Sequence, residues 1–514
     1  MAAIVCAILD PNPAKDCGAD CAKFQKSELE YKFNKRALER PYTSKHSWGK
    51  TYGEHKRHLE FSHDQYRELQ KYAEEVGIFF TASGMDEMAV DFLHELNVPF
   101  FKVGSGDTNN FPYLEKTAKK GRPMVVSSGM QSMETMRRVY KTVKEHNQNF
   151  AILQCTSAYP LEPEDVNLRV ITLRTLEVNV QLKQSSIIFC IFFLYSPSQD
   201  CGADCAKFQK SELEYKFNKR ALERPYTSKH SWGKTYGEHK HHLEFSHDQY
   251  RELQKYAEEV GIFFTASGMD EMAVDFLHEL NVPFFKVGSG DTNNFPYLEK
   301  TAKKGRPMVV SSGMQSMETM RRVYKTVKEH NQNFAILQCT SAYPLEPEDV
   351  NLRVITEYQK EFPDIPIGYS GHESGISISV AAVALGAKVI ERHVTLDKTW
   401  KGSDHAASLV PSELSELVRS IRLVERALGS SIKQMLPCEK PCHDKLGKSV
   451  VAKVNIPKGT TLTLDMLTVK VAEPMGIVAQ DLSKLVGKKV LEDVEEDEGL
   501  MPEVVDSYGK KAKC

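Results

Sequence analysis

IPIGYSGHESGISISVAAVALGAKVIERHVTLDKTWKGSDH, residues 365–405, decides the fold. It holds two short apolar runs, each closing on polar residues that include a histidine, His372 and His393, with a segment of helical length from Gly375 to Gly386 between them. That layout fits two neighbouring parallel strands joined by a crossover helix, which brings both imidazoles to one carboxyl-terminal rim. Two imidazoles with Glu391 and Asp404 beside them suit a divalent transition metal. A lone histidine is more often a strand cap than a ligand; two at matching strand ends reverse that expectation.

Working outward, strand and helix signals alternate from Cys205 onward. Strands are expected at 205–209, 261–268, 284–291, 306–314 and 334–344, ahead of the two that carry histidines. Ser246 or Asp248 can cap a helix that Gly261 stops, and another helix starts near Asp270 and ends before Pro283. Alternation of this kind means a parallel sheet covered on both faces, and seven strands predict a (β/α)8 barrel that is one strand short. After a helix from Ser412 to Leu428, residues 429–444 read as a linker and 445–514 as a small β-rich domain.

Asp16 to Thr172 recurs as Asp200 to Thr356 with one difference, Arg57 against His241. Near identity over such a length marks a recent duplication, since old repeats drift. The organisation expected is therefore an atypical amino terminus (1–15), a duplicated partial barrel segment (16–172), a unique insert (173–199), the barrel domain (200–428), the linker and the small domain. The insert has the composition of a translated pyrimidine-rich intron end. Its apolar run, Ile187 to Tyr195, is too short to span a bilayer. The run could occupy the empty first-strand position, but Ser196 to Ala203 looks too short for a parallel crossover, which makes a well-formed barrel doubtful.

The 514 residues carry 67 Lys and Arg against 69 Asp and Glu, so nothing global favours nucleic acid or an anionic membrane. The 11 cysteines are scattered, and no signal peptide is recognisable; a reducing, cytoplasmic setting is expected. Polar groups cluster at the expected strand ends: Lys207 and Gln209, Thr265, Lys286 with Ser289 and Asp291, Ser312, Ser341 with Tyr343, and Ser370. Lysines, hydroxyls and glycine-flanked backbone are phosphate-binding groups. Lys207 and Lys286 interrupt apolar strands, and burying an ammonium without an anion is costly.

Through KFQ, FKVGSGDTNNF, SSGM, QCTSAYP, GYSGHE and ERHVTLDKTWKGSDH, the chain resembles the sialic acid synthase family. The resemblance implies a (β/α)8 TIM barrel followed by an antifreeze-like SAF domain, in a homodimer. The implied reaction joins phosphoenolpyruvate to N-acetylmannosamine 6-phosphate, giving N-acetylneuraminate 9-phosphate and phosphate, with Mn2+ or Mg2+ as cofactor. By motif, His372 and His393 hold the metal. Lys286, Ser289, Ser312, Ser341 and Ser370, with Lys207 nearby, match phosphoenolpyruvate positions; Gln209, Asp291, Tyr343 and Asp404 match positions facing the amino sugar. Arg220, Arg224 and Lys229 are candidates for the sugar phosphate. Two departures stand out. A first-strand motif of the type AEIGxNHxG, with its glutamate, is missing before either copy, and Lys470 stands nearest to where many relatives carry an arginine.

Overall fold

A computed structural model describes residues 4–6, 15, 17–44, 46–171, 187–191 and 201–508. The chain divides into two compact units, Arg174–Leu428 and Met1–Leu173 together with Gly429–Cys514.

The first of these units is a closed barrel of eight parallel strands. In chain order they are β7 (Ile187–Ile191), β8 (Cys205–Lys210), β9 (Phe263–Gly268), β10 (Phe285–Val287), β11 (Met308–Ser311), β12 (Phe334–Cys339), β13 (Ile367–Gly371) and β14 (Val389–His393). The expected gap at the first strand is not there. β7, from the unique insert, pairs in parallel with β14 from Val389↔Ile187 to His393↔Ile191, and with β8 from Phe189↔Cys205 to Ile191↔Lys207. The expected strand to Tyr195 is described as far as Ile191; the rest of that run and Ser196 to Gln199 lie outside the described residues.

The helices begin and end where local chemistry dictates. Ser246 caps His247–Val260 in a reciprocal box with Gln249, and Gly261 closes it at φ +74°. Asp270 accepts from the Ala273 amide, a cap worth about 1 kcal/mol. Tyr250, Phe276, Leu298, Val323, Ile355 and Leu417 bury their side chains between strands and helices. Gly368 is required by close approach, because a Cβ there would fall 2.8 Å from Val389 Cβ and closer still to its carbonyl oxygen.

In the other unit the first copy forms its own sheet. β1 (Ile4–Cys6), β2 (Cys21–Lys26), β3 (Phe79–Gly84), β4 (Phe101–Val103), β5 (Met124–Ser127) and β6 (Phe150–Leu153) run parallel in that order, without closure. Among the described residues no strand pairs with β6 beyond β5, and β6 is an edge: Ile152 is 41% exposed, whereas its twin Ile336 is fully buried. The segment 429–444 carries structure, including a helix at Lys440–Leu446. The carboxyl-terminal domain follows, with β15 (Ser449–Ala452) and β16 (Leu467–Lys470) antiparallel around Val450, Leu462, Ile477 and Leu485.

Candidate active site

β13 and β14 are in register from Tyr369↔Ile390 to Gly371↔Arg392, which places the histidines at adjacent strand ends. Their rings are 5.2 Å apart between centroids, and the Tyr343 ring lies 4.1 Å from His372. His372 Nδ1 is 2.8 Å from the Thr340 carbonyl oxygen, a contact that leaves Nε2 as the ligating nitrogen. His393 Nδ1 is 3.3 Å from Asp404 Oδ2. Burial presses the His393 pKa down, against the pull of Asp404, and favours the neutral ring that can ligate. His372 is shifted up: burial lowers it, but Cys339 and the Thr340 carbonyl outweigh that. Among the described residues no group of three or more His, Cys, Asp and Glu is pre-assembled for a metal. The two imidazoles therefore fit a divalent ion only if water or substrate oxygens complete its shell.

Deeper in the barrel, Glu391 Oε1 is 3.1 Å from Lys207 Nζ and Oε2 is 3.5 Å from Lys286 Nζ, all three side chains being almost wholly buried. Burial alone would raise the Glu391 carboxyl, yet the two ammonium groups hold it well below the usual range. Burial pushes Lys207 down to about 8, with Glu391 opposing. Lys207 also donates to Ser267 Oγ (3.2 Å), and Lys286 to Ser311 Oγ (2.8 Å). One carboxylate between two lysines leaves an excess positive charge, which suits an anionic substrate. Beside it, the Gly313 amide donates to Ser289 Oγ at 3.1 Å. A Cβ at Gly313 would fall 2.6 Å from Ser289 Oγ and closer still to Ser341 Oγ, so glycine is what lets these hydroxyls converge next to Ser312. Ser370 is buried on β13, opposite Glu391.

The remaining expected residues are placed differently. Thr265 is buried and spends its hydroxyl on the Phe284 carbonyl oxygen (2.7 Å). Gln209 is exposed at the end of β8. Lys470 belongs to the other unit, where its Nζ pairs with Asp497 Oδ1 at 2.6 Å. Arg224 stacks its guanidinium on the Tyr236 ring, 4.2 Å from the centroid. Asp291 sits in the turn after β10, and burial pushes it up to about 6, with Lys216 opposing. A carboxyl raised in the folded state keeps its proton longer there, so folding stability falls as pH rises from about 4 through about 6. Asp291→Asn should flatten that slope, which corresponds to a penalty on the order of 3 kcal/mol, in unfolding measured between pH 4 and 7.

The NeuB family model matches residues 12–182 and again 196–433. The chain belongs to the NeuB family. A SAF domain matches residues 447–505. Human N-acetylneuraminate-9-phosphate synthase is 80% identical over 316 residues, covering 62% of this chain and 88% of that protein. The Drosophila melanogaster protein of the same name is 47% identical over 328 residues, covering 59% of this chain and 88% of its own length. The crystal structure of a putative spore coat polysaccharide biosynthesis protein E from Chromobacterium violaceum, at 18% identity and a TM-score of 0.52, covers 63% of this chain and all of that one; it shares the fold.

One feature of this NeuB-family barrel escaped the sequence reading. Arg392, fully buried, donates to Glu373 Oε1 (3.0 Å), the Glu373 carbonyl (2.5 Å) and the Gly375 carbonyl (2.8 Å). Tyr369 and Ser379 hydroxyls complete the Glu373 carboxylate at 2.7 and 2.8 Å. Each member of this pair adjoins one of the histidines in sequence, so the ion pair ties together the two strand ends that carry them. The signal was available: with period two, Glu391 and His393 share a face and Arg392 must point the other way, into the layer between strands and helices.

Proposed function

We propose that the barrel of residues 187–428 condenses phosphoenolpyruvate with N-acetylmannosamine 6-phosphate, releasing N-acetylneuraminate 9-phosphate and inorganic phosphate. The observation that carries this reading is the buried Lys207–Glu391–Lys286 cluster beside the paired imidazoles, in a chain that shares 80% of its residues with a synthase of that name over the aligned region. Lys286 and Lys207 draw the phosphate and carboxylate of phosphoenolpyruvate, and Ser289, Ser312 and Ser341 supply donors around Gly313. Tyr343, Asp404 and Asp291 face the amino sugar. C3 of phosphoenolpyruvate attacks the open-chain aldehyde, water adds to the cation left at C2, and the tetrahedral intermediate expels phosphate. Fixed donors stabilise the charge that develops. His372 and His393 would hold Mn2+ or Mg2+, which when bound polarises the aldehyde as a Lewis acid. The cytoplasm and a homodimer complete the reading; among the described residues no helix is long and apolar enough to cross a membrane.

The test is phosphate release from purified chain with both substrates and Mn2+, with the product identified by mass. Turnover that needs both substrates supports the proposal; its absence overturns it. Lys286→Met should raise KM for phosphoenolpyruvate about 10- to 100-fold, the worth of one charged hydrogen bond, in initial-rate measurements.

A second reading rests on β7. Its sequence, IIFCI, holds no carboxylate where the family's first strand carries a glutamate. A barrel that binds both substrates without turning them over fits that fact. Calorimetric binding without phosphate release would select this reading.

A further inference from the structure

Residues 16–172 repeat the serines, glycine and lysine of the barrel's anion cradle, and the first copy folds them into the same arrangement. The Gly129 amide donates to Ser105 Oγ at 3.2 Å, against 3.1 Å for Gly313 and Ser289. A Cβ at Gly129 would fall 2.6 Å from Ser105 Oγ and closer still to Ser157 Oγ, so glycine again lets two hydroxyls converge. Lys102, buried on β4, donates to Ser127 Oγ (2.6 Å) and to the Val103 carbonyl oxygen (2.7 Å), as Lys286 does to Ser311 and Val287. Ser128 and Ser157 are buried as well.

The repeat ends at Thr172, before any counterpart of His372, Glu391 or His393. The first copy therefore keeps the hydroxyls, the tight glycine turn and the buried ammonium that suit a phosphate, without the two imidazoles that a Lewis acid needs. An anionic oxygen already sits against these turns. Glu439, fully buried, accepts from the Met130 amide (2.6 Å) and the Ser157 amide (2.8 Å), which follow Gly129 and Thr156 in the chain. Glu439 is held there by backbone amides and not by the serine hydroxyls, so amides and hydroxyls offer donors to two different anions.

We propose that the first copy is a second, non-catalytic site for a small phosphomonoester, bound by Lys102 and by the Ser105, Ser128 and Ser157 hydroxyls around Gly129. Its ligand is phosphoenolpyruvate, and that choice alone rests on the reaction proposed for the barrel; the anion chemistry rests on the shared geometry. The chain then holds two such anions and turns over one, and the first copy withholds substrate from the barrel when substrate is scarce.

The test is calorimetric titration of the full-length chain with phosphoenolpyruvate. The unaltered chain should take up two equivalents, and Lys286→Met, which weakens the barrel site, should keep one. Adding Lys102→Met should weaken that remaining site about 10- to 100-fold, the worth of one charged hydrogen bond. Adding Ser157→Ala instead, a change too small to unfold the sheet, should weaken it ~2- to 10-fold. Lys102→Met by itself should leave kcat for phosphate release unchanged. Lys286→Met binding no equivalent overturns the proposal, as does an equivalent that neither added substitution weakens. A chain without turnover whose Lys286→Met form still binds one equivalent, sensitive to Lys102→Met, supports the proposal while the reaction proposed for the barrel fails.

Discussion

Arg392→Leu is expected to destabilise the barrel of residues 187–428 by about 3–5 kcal/mol, because it leaves the Glu373 carboxylate buried with no cation. The cost of removing one partner exceeds the worth of the pair, since the desolvation of the remaining charge is no longer offset. Glu373→Leu with Arg392→Leu should therefore be less destabilised than Arg392→Leu alone. Hydrogen exchange of the peptide that spans β13 measures both, without assuming that a chain of two units unfolds in one step. If the double variant is the worse of the two, the pair is a net source of stability and the argument from desolvation fails.

His393→Ala is expected to lower kcat about 10³-fold or more while leaving the fold intact. A Lewis acid is worth several kcal/mol of transition-state stabilisation, and His393 is one of the two imidazoles, 5.2 Å apart, proposed to hold it. Metal affinity measured by calorimetry should fall in parallel, a readout that separates lost ligation from lost turnover. A variant that binds Mn2+ normally and still fails would move His393 from ligation to another role. Asp404→Asn, which keeps the shape but removes the charge 3.3 Å from His393 Nδ1, should cost less, about 10- to 100-fold in affinity.

The histidine strands were legible because the apolar runs, the helical spacer and the polar ends repeat within one short stretch. Lys207 and Lys286 were legible as anomalies, charges inside apolar strands, although their common partner Glu391 emerged only when β8, β10 and β14 met in one interior. Arg392 was overlooked beside its more conspicuous neighbours. The role of β7 was not legible because an isolated apolar run names no partner; its pairing with β14 and β8 shows only in three dimensions. What no local pattern could reveal was the packing of the carboxyl-terminal domain: both copies offer the same aspartate, and Lys448 pairs with Asp107, 341 residues before it in the chain.

β7 shows how a barrel accepts its members. Its neighbours hold it by backbone hydrogen bonds from Val389↔Ile187 to Ile191↔Lys207, a connection that reads extended geometry and is blind to side-chain identity. The position thus behaves as a socket, which any sufficiently apolar, extended segment of adequate reach can enter. Architecture and reactivity become separately inheritable there: a chain can regain its closed outline from an unrelated segment while the acid or base once delivered by that segment goes missing, and likeness of form then outlives likeness of chemistry.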